Sequence, residues 1–242
     1  GPDCQCAGTA CTTAVNFQMN TDGGGEDISW TIRDLTADEV VCSAGNLPDN
    51  VELTTGCCLL PDRCYKLEVN DQAGDGVFGG GYQLTQAGTG IRLIDNRDNL
   101  RNIATSAISL PESFCLPVGS IGLADGSCDK ENWTNGEFIF CGAFEAVTSA
   151  YVPGLPQAQQ PDDTGYEFWF FDPNGSFNEV YFRNHQRVVR RMPAGPLRAT
   201  HFVINDWDPA TVPHLPGNRL LNVRVRAKVN NVAVPWGPAC MF

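Results

Sequence analysis

Four carboxylates in two short glycine-containing loops are the first residues of this chain that could do chemistry. Asp22 and Glu26 flank Gly23-Gly24-Gly25, and Asp71 and Asp75 lie around Gly74, ahead of Gly76. Hard oxygen ligands at such spacing, with glycines that let the backbone bend around an ion, suit Ca²⁺. Calcium is therefore the one cofactor these residues suggest, provided both loops lie at the same end of a domain. The same residue types are what tight turns need, because Asp and Gly tolerate positive φ and an Asp side chain can accept from its own loop. The EF-hand spacing and its terminal Glu are absent.

A second group, His185, His201 and His214 with Asp206 and Asp208, invites a metal or hydrolase reading. It has no HxxxH or HExxH spacing. The chain also lacks a Gly-x-Ser-x-Gly elbow and a cysteine in a catalytic context. The expectation is a protein that is not an enzyme, with no catalytic residues. The aromatic run Tyr166, Phe168, Trp169, Phe170, Phe171 could stack a glycan ligand. Consecutive residues of a strand face both ways, however, so part of the run must enter the core. The remainder, with Phe168 and Phe170 as candidates, would cover an assembly interface.

Arg183, Arg187, Arg190 and Arg191 crowd into one short segment. Residues 1–140 carry 20 acidic and 7 basic side chains, a net −13, whereas residues 141–242 carry 8 and 9, a net +1. That split suggests head-to-tail self-association, the basic segment of one copy meeting the acidic part of the next. An interface between unlike patches does not close on itself unless it forms a ring, so repetition gives a filament. The plainer possibility is that the arginines solvate an edge strand and keep it from pairing. A net charge of −12 argues against nucleic acid as a partner. No apolar run approaches the roughly 18 residues of a membrane span.

The elements that must position these residues are strands. Hydrophobic content of 42% supports a packed core, and 25 Gly and 16 Pro punctuate short apolar runs. Val15, Phe17 and Met19 alternate, as do Ile28, Trp30 and Ile32, with Trp30 as core anchor. Glu39 to Ser43 and Val51 to Thr54 are short strands. Tyr65, Leu67 and Val69, followed by an Asp/Gly turn and Tyr82 and Leu84, read as a hairpin. Ile91 to Ile94, Ala104 to Leu110 and Phe114-Cys115 complete a first domain over residues 1–117. Residues 118–140 form a packed linker held down by Trp133. In a second domain, residues 141–242, Val147 to Val152 and Tyr166 to Phe171 are strands, with Phe177 to Phe182 as hairpin partner of the latter. His201 to Asn205 follows, then Leu221 to Val229 with apolar residues inward and Arg/Lys outward, then Val232 to Val234 after Asn230-Asn231. The expected class is all-β, two β-sandwiches, the first of jelly-roll or CUB-like type.

Eleven cysteines with three histidines and no repeated CxxC pair favour disulfides over zinc and place the chain in an oxidising, extracellular or cell-surface setting. The odd count leaves at least one thiol free, cross-linked to another chain, or separated from a partner beyond this sequence. The adjacent Cys57 and Cys58 are expected to bond to different partners. Cys4, Cys6 and Cys11 mark residues 1–12 as a stapled tether or an arm reaching a neighbour.

Leu60-Pro61-Asp62-Arg63-Cys64-Tyr65, then Asn70-Asp71 and Gly74-Asp75-Gly76, with Thr21-Asp22 and Glu26-Asp27-Ile28-Ser29-Trp30 upstream, resemble a module of large surface proteins exported by bacterial type IX secretion. The resemblance covers about residues 11 to 117. It departs from that family where Val77-Phe78 replaces a usual cysteine pair, so one common disulfide is missing or rerouted. Val223-Arg224-Val225-Arg226-Ala227-Lys228-Val229-Asn230-Asn231 and Trp236-Gly237-Pro238-Ala239-Cys240 are similar to the closing strands of the fibronectin type III-like module of the same proteins. That resemblance implies a fibronectin type III or immunoglobulin-like second sandwich and a Cys141–Cys240 disulfide. The expected role is non-catalytic, structural or adhesive, with self-association into a filament; the alternative is a carbohydrate- or ligand-binding accessory module of a larger secreted enzyme.

Overall fold

The computed structural model describes residues 13–77, 79–97, 106–107, 114–123, 128–129, 145–147, 163–173, 177–184, 201–203, 215–216 and 220–242. Among these the chain is all-β, the one helical element being a 3-10 turn at Gly25–Asp27. It clusters into two compact units, Gly1–Val118 with Asp172–Ser176, and Gly119–Phe171 with Phe177–Phe242. Of the segment expected as a linker, 118–140, the described residues from Gly119 onward belong to the second unit. Ile121, Leu123 and Cys128 pack on that unit's core, and the Gly119 amide donates to the Trp236 carbonyl at 2.7 Å.

The first unit contains β1 (Thr13–Asn20), β2 (Ile28–Asp34), β3 (Glu39–Gly45), β4 (Glu52–Leu59), β5 (Cys64–Asp71), β6 (Gly81–Gln86), β7 (Arg92–Asp95), β8 (Ser106–Ala107) and β9 (Phe114–Cys115). One sheet has the order β4-β1-β6-β7, the other β3-β2-β5-β8 with β9 also on β5, and every pairing is antiparallel. Period-two patterning decides which face is buried. β1 buries Val15, Phe17 and Met19, β2 buries Ile28, Trp30 and Ile32, and β5 buries Tyr65, Leu67 and Val69. Phe17 of one sheet meets Trp30 of the other with ring centroids 4.4 Å apart, so the two apolar faces form one core.

The structure corrects the expected hairpin between Tyr65–Val69 and Tyr82–Leu84. β5 and β6 belong to different sheets, β5 bonded to β2 and β6 to β1. Nine residues separate β5 from β6. Asp71 gathers their first amides into a wide arch, which carries the chain across the core instead of back alongside β5. Burial of Tyr65, Leu67 and Val69 on one strand and Tyr82 and Leu84 on the other is then satisfied face to face.

Disulfides add covalent closure to this unit. Cys42–Cys57 ties β3 to β4, the outer strands of opposite sheets, and Cys64–Cys115 joins directly opposed residues of β5 and β9. Cys58 is disulfide-bonded as well, so the two neighbours do have different partners. The Tyr65 hydroxyl donates to the Leu60 carbonyl at 2.9 Å and accepts from the Leu60 amide at 2.8 Å, pinning the turn before β5.

The second unit contains β10 (Glu145–Val147), β11 (Gly165–Phe171), β12 (Asn178–Asn184), β13 (His201–Val203), β14 (Asn222–Val229), β15 (Val232–Ala233) and β16 (Cys240–Met241). The main sheet runs β12-β11-β14-β15 with β16 also on β14, and β10 pairs β13. β11 and β12 form the expected hairpin. Asn230 and Asn231, at φ 49° and 65°, make the two-residue turn between β14 and β15, the left-handed pair such a turn requires. Tyr166, Phe168, Phe170, Tyr181, Phe202, Val223 and Val225 form the core.

Two further expectations change here. Cys240 bonds to Cys128, not to Cys141, which lies outside the described residues. The reason is local: the Asp129 amide donates to the Met241 carbonyl at 3.1 Å, and the Met241 amide donates to Asp129 Oδ1 at 3.0 Å, setting Cys128 beside β16. The outward row of β14 is also less exposed than its alternation suggests. Arg224 is fully buried, its Nε donating to the Gly237 carbonyl at 2.7 Å and one terminal nitrogen to the Trp236 carbonyl at 3.2 Å.

Candidate functional site

The two acidic loops of the first unit do meet. β1 ends and β2, β4 and β6 begin at the same end of the sandwich where β5 finishes. The Gln72 amide donates to the Asp27 carbonyl at 3.0 Å, and the Asn50 amide to the Asp22 carbonyl at 2.7 Å. Asp71, Asp22 and Asp49 accept there from backbone amides. Asp71 is buried, and its Oδ1 accepts from the amides of Ala73 and Gly74, both at 3.1 Å, while Oδ2 accepts from the Gly76 amide at 2.6 Å. Asp22 Oδ1 accepts from the Gly24 amide at 3.0 Å, and Asp49 Oδ1 from the Gly25 amide at 3.0 Å. Glu26 and Asp75 point to solvent. Among the described residues no group of three or more acidic, His or Cys side chains is disposed to hold a metal ion; Asp22 and Asp71 serve their own turns, and Glu26 and Asp75 are exposed. Charge-assisted bonds from backbone amides to a carboxylate are strong enough to compete for these oxygens.

Two more buried carboxylates were not singled out by spacing. Asp34 accepts from the Thr36 amide at 2.8 Å, the Ala37 amide at 3.1 Å and the Arg63 guanidinium at 2.6 Å, coupling the turn after β2 to the turn before β5. Burial would raise its pKa, but Arg63 and the two amides outweigh that and hold it below the ordinary value. Asp95, fully buried at the end of β7, accepts from Gln83 at 2.8 Å, Arg92 at 3.1 Å and Arg97 Nε at 3.0 Å. Burial again pushes upward, and Arg97, with Gln83 and Arg92, brings the net shift below the ordinary value. A lone Asp ending an apolar strand beside two arginines is the signal that could have marked it.

In the second unit the chemistry lies on the sheet face opposite the core. Glu167, set between Tyr166 and Phe168, accepts from Arg226 Nε at 2.6 Å and lies 3.2 Å from Lys228 Nζ. The Arg226 guanidinium lies over the Trp236 ring at 4.1 Å, and that of Arg224 over Trp169 at 5.7 Å. Trp169 and Trp236 are 5.3 Å apart, and Trp169 Nε1 donates to Asn178 Oδ1 at 2.8 Å. Cations and aromatic rings thus alternate across β11 and β14, each charge desolvated against a ring or a carboxylate. The sequence signal was available in the lone Glu of an aromatic strand and the period-two Arg224, Arg226, Lys228.

The expected assembly residues are dispersed. Phe168 and Phe170 are fully buried in the core and are removed as interface candidates, since a strand covered on both faces has no side left for a neighbour. Trp169 and Phe171, on the other face, are buried too, so the aromatic run offers no exposed stacking platform. Arg183 is half-buried on β12. Arg187, Arg190 and Arg191 lie outside the described residues, as do His185, His214, Asp206, Asp208 and Trp133, and His201 is described only as part of β13. No family model, curated protein or solved structure matches the chain.

Proposed function

We propose that this chain is a non-catalytic structural or adhesive protein of the cell surface or extracellular space, akin to the type IX-exported modular proteins its motifs resemble. One observation carries the reading. The buried carboxylates Asp34, Asp71, Asp95 and Glu167 are each engaged by turn amides, Arg or Lys within their own unit. They brace turns and strands, and that use of polar groups belongs to a scaffold. Disulfides that join β3 to β4 and β5 to β9 in the first unit support an oxidising location. The fibronectin type III-like assignment of the second unit rests on the resemblance of its closing strands.

Self-association follows from the charge asymmetry, −13 for residues 1–140 against +1 for the rest. With Phe168 and Phe170 in the core, that electrostatic contrast and the basic segment beginning at Arg183 carry the head-to-tail reading. Light scattering coupled to size exclusion, with negative-stain microscopy at micromolar protein and low salt, tests it. Multi-chain species that dissociate as salt is raised are expected, since exposed charges are screened. A monodisperse monomer at every concentration and salt would defeat it.

A further inference from the structure

Gly165 is the residue of β11 that lies opposite Asn184 of β12 on one side and opposite Lys228 of β14 on the other. Directly opposed residues of antiparallel strands place their side chains on the same face. Lys228 and Asn184 therefore rise from one face with only a glycine between them. The backbone of β12 also closes toward that glycine, since a Cβ built at Gly165 would lie 2.8 Å from Asn184 Cα. Lys228 extends along this face toward Glu167 and Phe182. Its Nζ is 3.2 Å from Glu167 Oε1 and 5.0 Å from the centre of the Phe182 ring. Phe182 is on β12, two residues before Asn184 and on the same face, so Lys228 meets a β12 side chain from the far side of the central strand. Glu167 is held in place by Arg226 and is 9% exposed, against 22% for Lys228.

We propose that Lys228 and Asn184 are the partners of an intramolecular isopeptide bond, with Glu167 as the proton carrier between them. Glu167 Oε1 accepts a proton from the Lys228 ammonium, leaving a neutral amine. The amine attacks Asn184 Cγ, the new Cγ–Nζ bond forms, and Glu167 returns the proton to the departing Nδ2. The Cγ–Nδ2 bond breaks and ammonia leaves, taking up the second proton from the former ammonium. One ammonium and one carboxamide become one secondary amide and one ammonium ion, with no change of oxidation state and no further reactant. Two groups held by one rigid sheet supply the effective concentration such a condensation needs. The product would fasten β12 across β11 to β14, so the sheet could not lose that strand under load. This holds whether or not the chain self-associates.

Intact-mass spectrometry of the native protein after full disulfide reduction tests it, followed by proteolytic mapping. The expected mass is below the sequence mass by one ammonia, with a linked peptide pair joining residues 184 and 228. Asn184→Ala and Lys228→Arg should each restore the unmodified mass, and folded Glu167→Gln should stay unlinked. Wild-type protein at its sequence mass, or an ammonia loss mapping elsewhere, would overturn the proposal and leave Lys228–Glu167 as a cross-strand ion pair only. The wild-type reading does not depend on any variant folding.

Discussion

The two units solve the same problem in different ways. In the first unit the charges that cannot reach water are carboxylates at strand ends, neutralised mostly along the chain: Asp71 by amides two, three and five residues on, and Asp34 by amides two and three residues on with Arg63 added. In the second unit they lie mid-strand and are neutralised across the sheet, Glu167 by Arg226 and Lys228, with Trp236 stacked on Arg226. Local neutralisation leaves strands free to show plain alternation. Cross-sheet neutralisation allows a strand such as β11 to be buried on both faces while still carrying a charge. A buried charge is tolerable only where partners are fixed before it is desolvated, and each unit fixes them by a different geometry.

The contrast can be broken by mutation. Phe170→Ala empties the middle of the second core and should destabilise that unit by about 3–5 kcal/mol, leaving the first unit's transition in place. Denaturant melts that resolve the two transitions would check it. Asp71→Ala strands three amides in the arch between β5 and β6 and should cost the first unit about 3 kcal/mol, with the second little changed. Equal loss in both units would mean that the arch does not act locally.

Acid should separate the units as well. Asp34 and Asp95 have folded-state pKa values below the ordinary carboxylate value, so each contributes stability that is present above the unfolded-state pKa. That contribution is lost as pH falls from the ordinary carboxylate range, about 4, through the lower folded-state values. Circular dichroism melts between neutral and acidic pH should show the first unit weakening in that window, and Asp95→Asn should flatten the dependence. Smaller still, Tyr65→Phe removes one hydroxyl and its bonds to Leu60 and should cost about 1 kcal/mol.

Much of the first unit was legible because its buried residues alternate: Val15, Phe17 and Met19, then Ile28, Trp30 and Ile32, fall where period two puts them. The β5–β6 relation was not, because alternation states which face is apolar but not which strand lies alongside. The pairings of β5 with β2 and of β6 with β1 show that the chain crosses between sheets. β11 carries no alternation to read, and consecutive aromatics look the same whether the second face meets a neighbour or the chain's own Trp236. Asp71 was visible as a candidate, yet Asp and Gly at that spacing serve a turn or an ion equally, and the three amide bonds it accepts were not readable from spacing. Cys128 could not be preferred to Cys141 from spacing, because the choice is made by the paired bonds between Asp129 and Met241.

The central claim is that Asp22 and Asp71 hold the backbone of their own loops. Calorimetric melting of the native protein, stripped with EDTA and then titrated with CaCl2 into the millimolar range, tests it most directly. The predicted result is a first-unit melting temperature unchanged by EDTA and by calcium. A saturable rise with calcium, following the linkage expected of an ion bound only by the folded state, would contradict it.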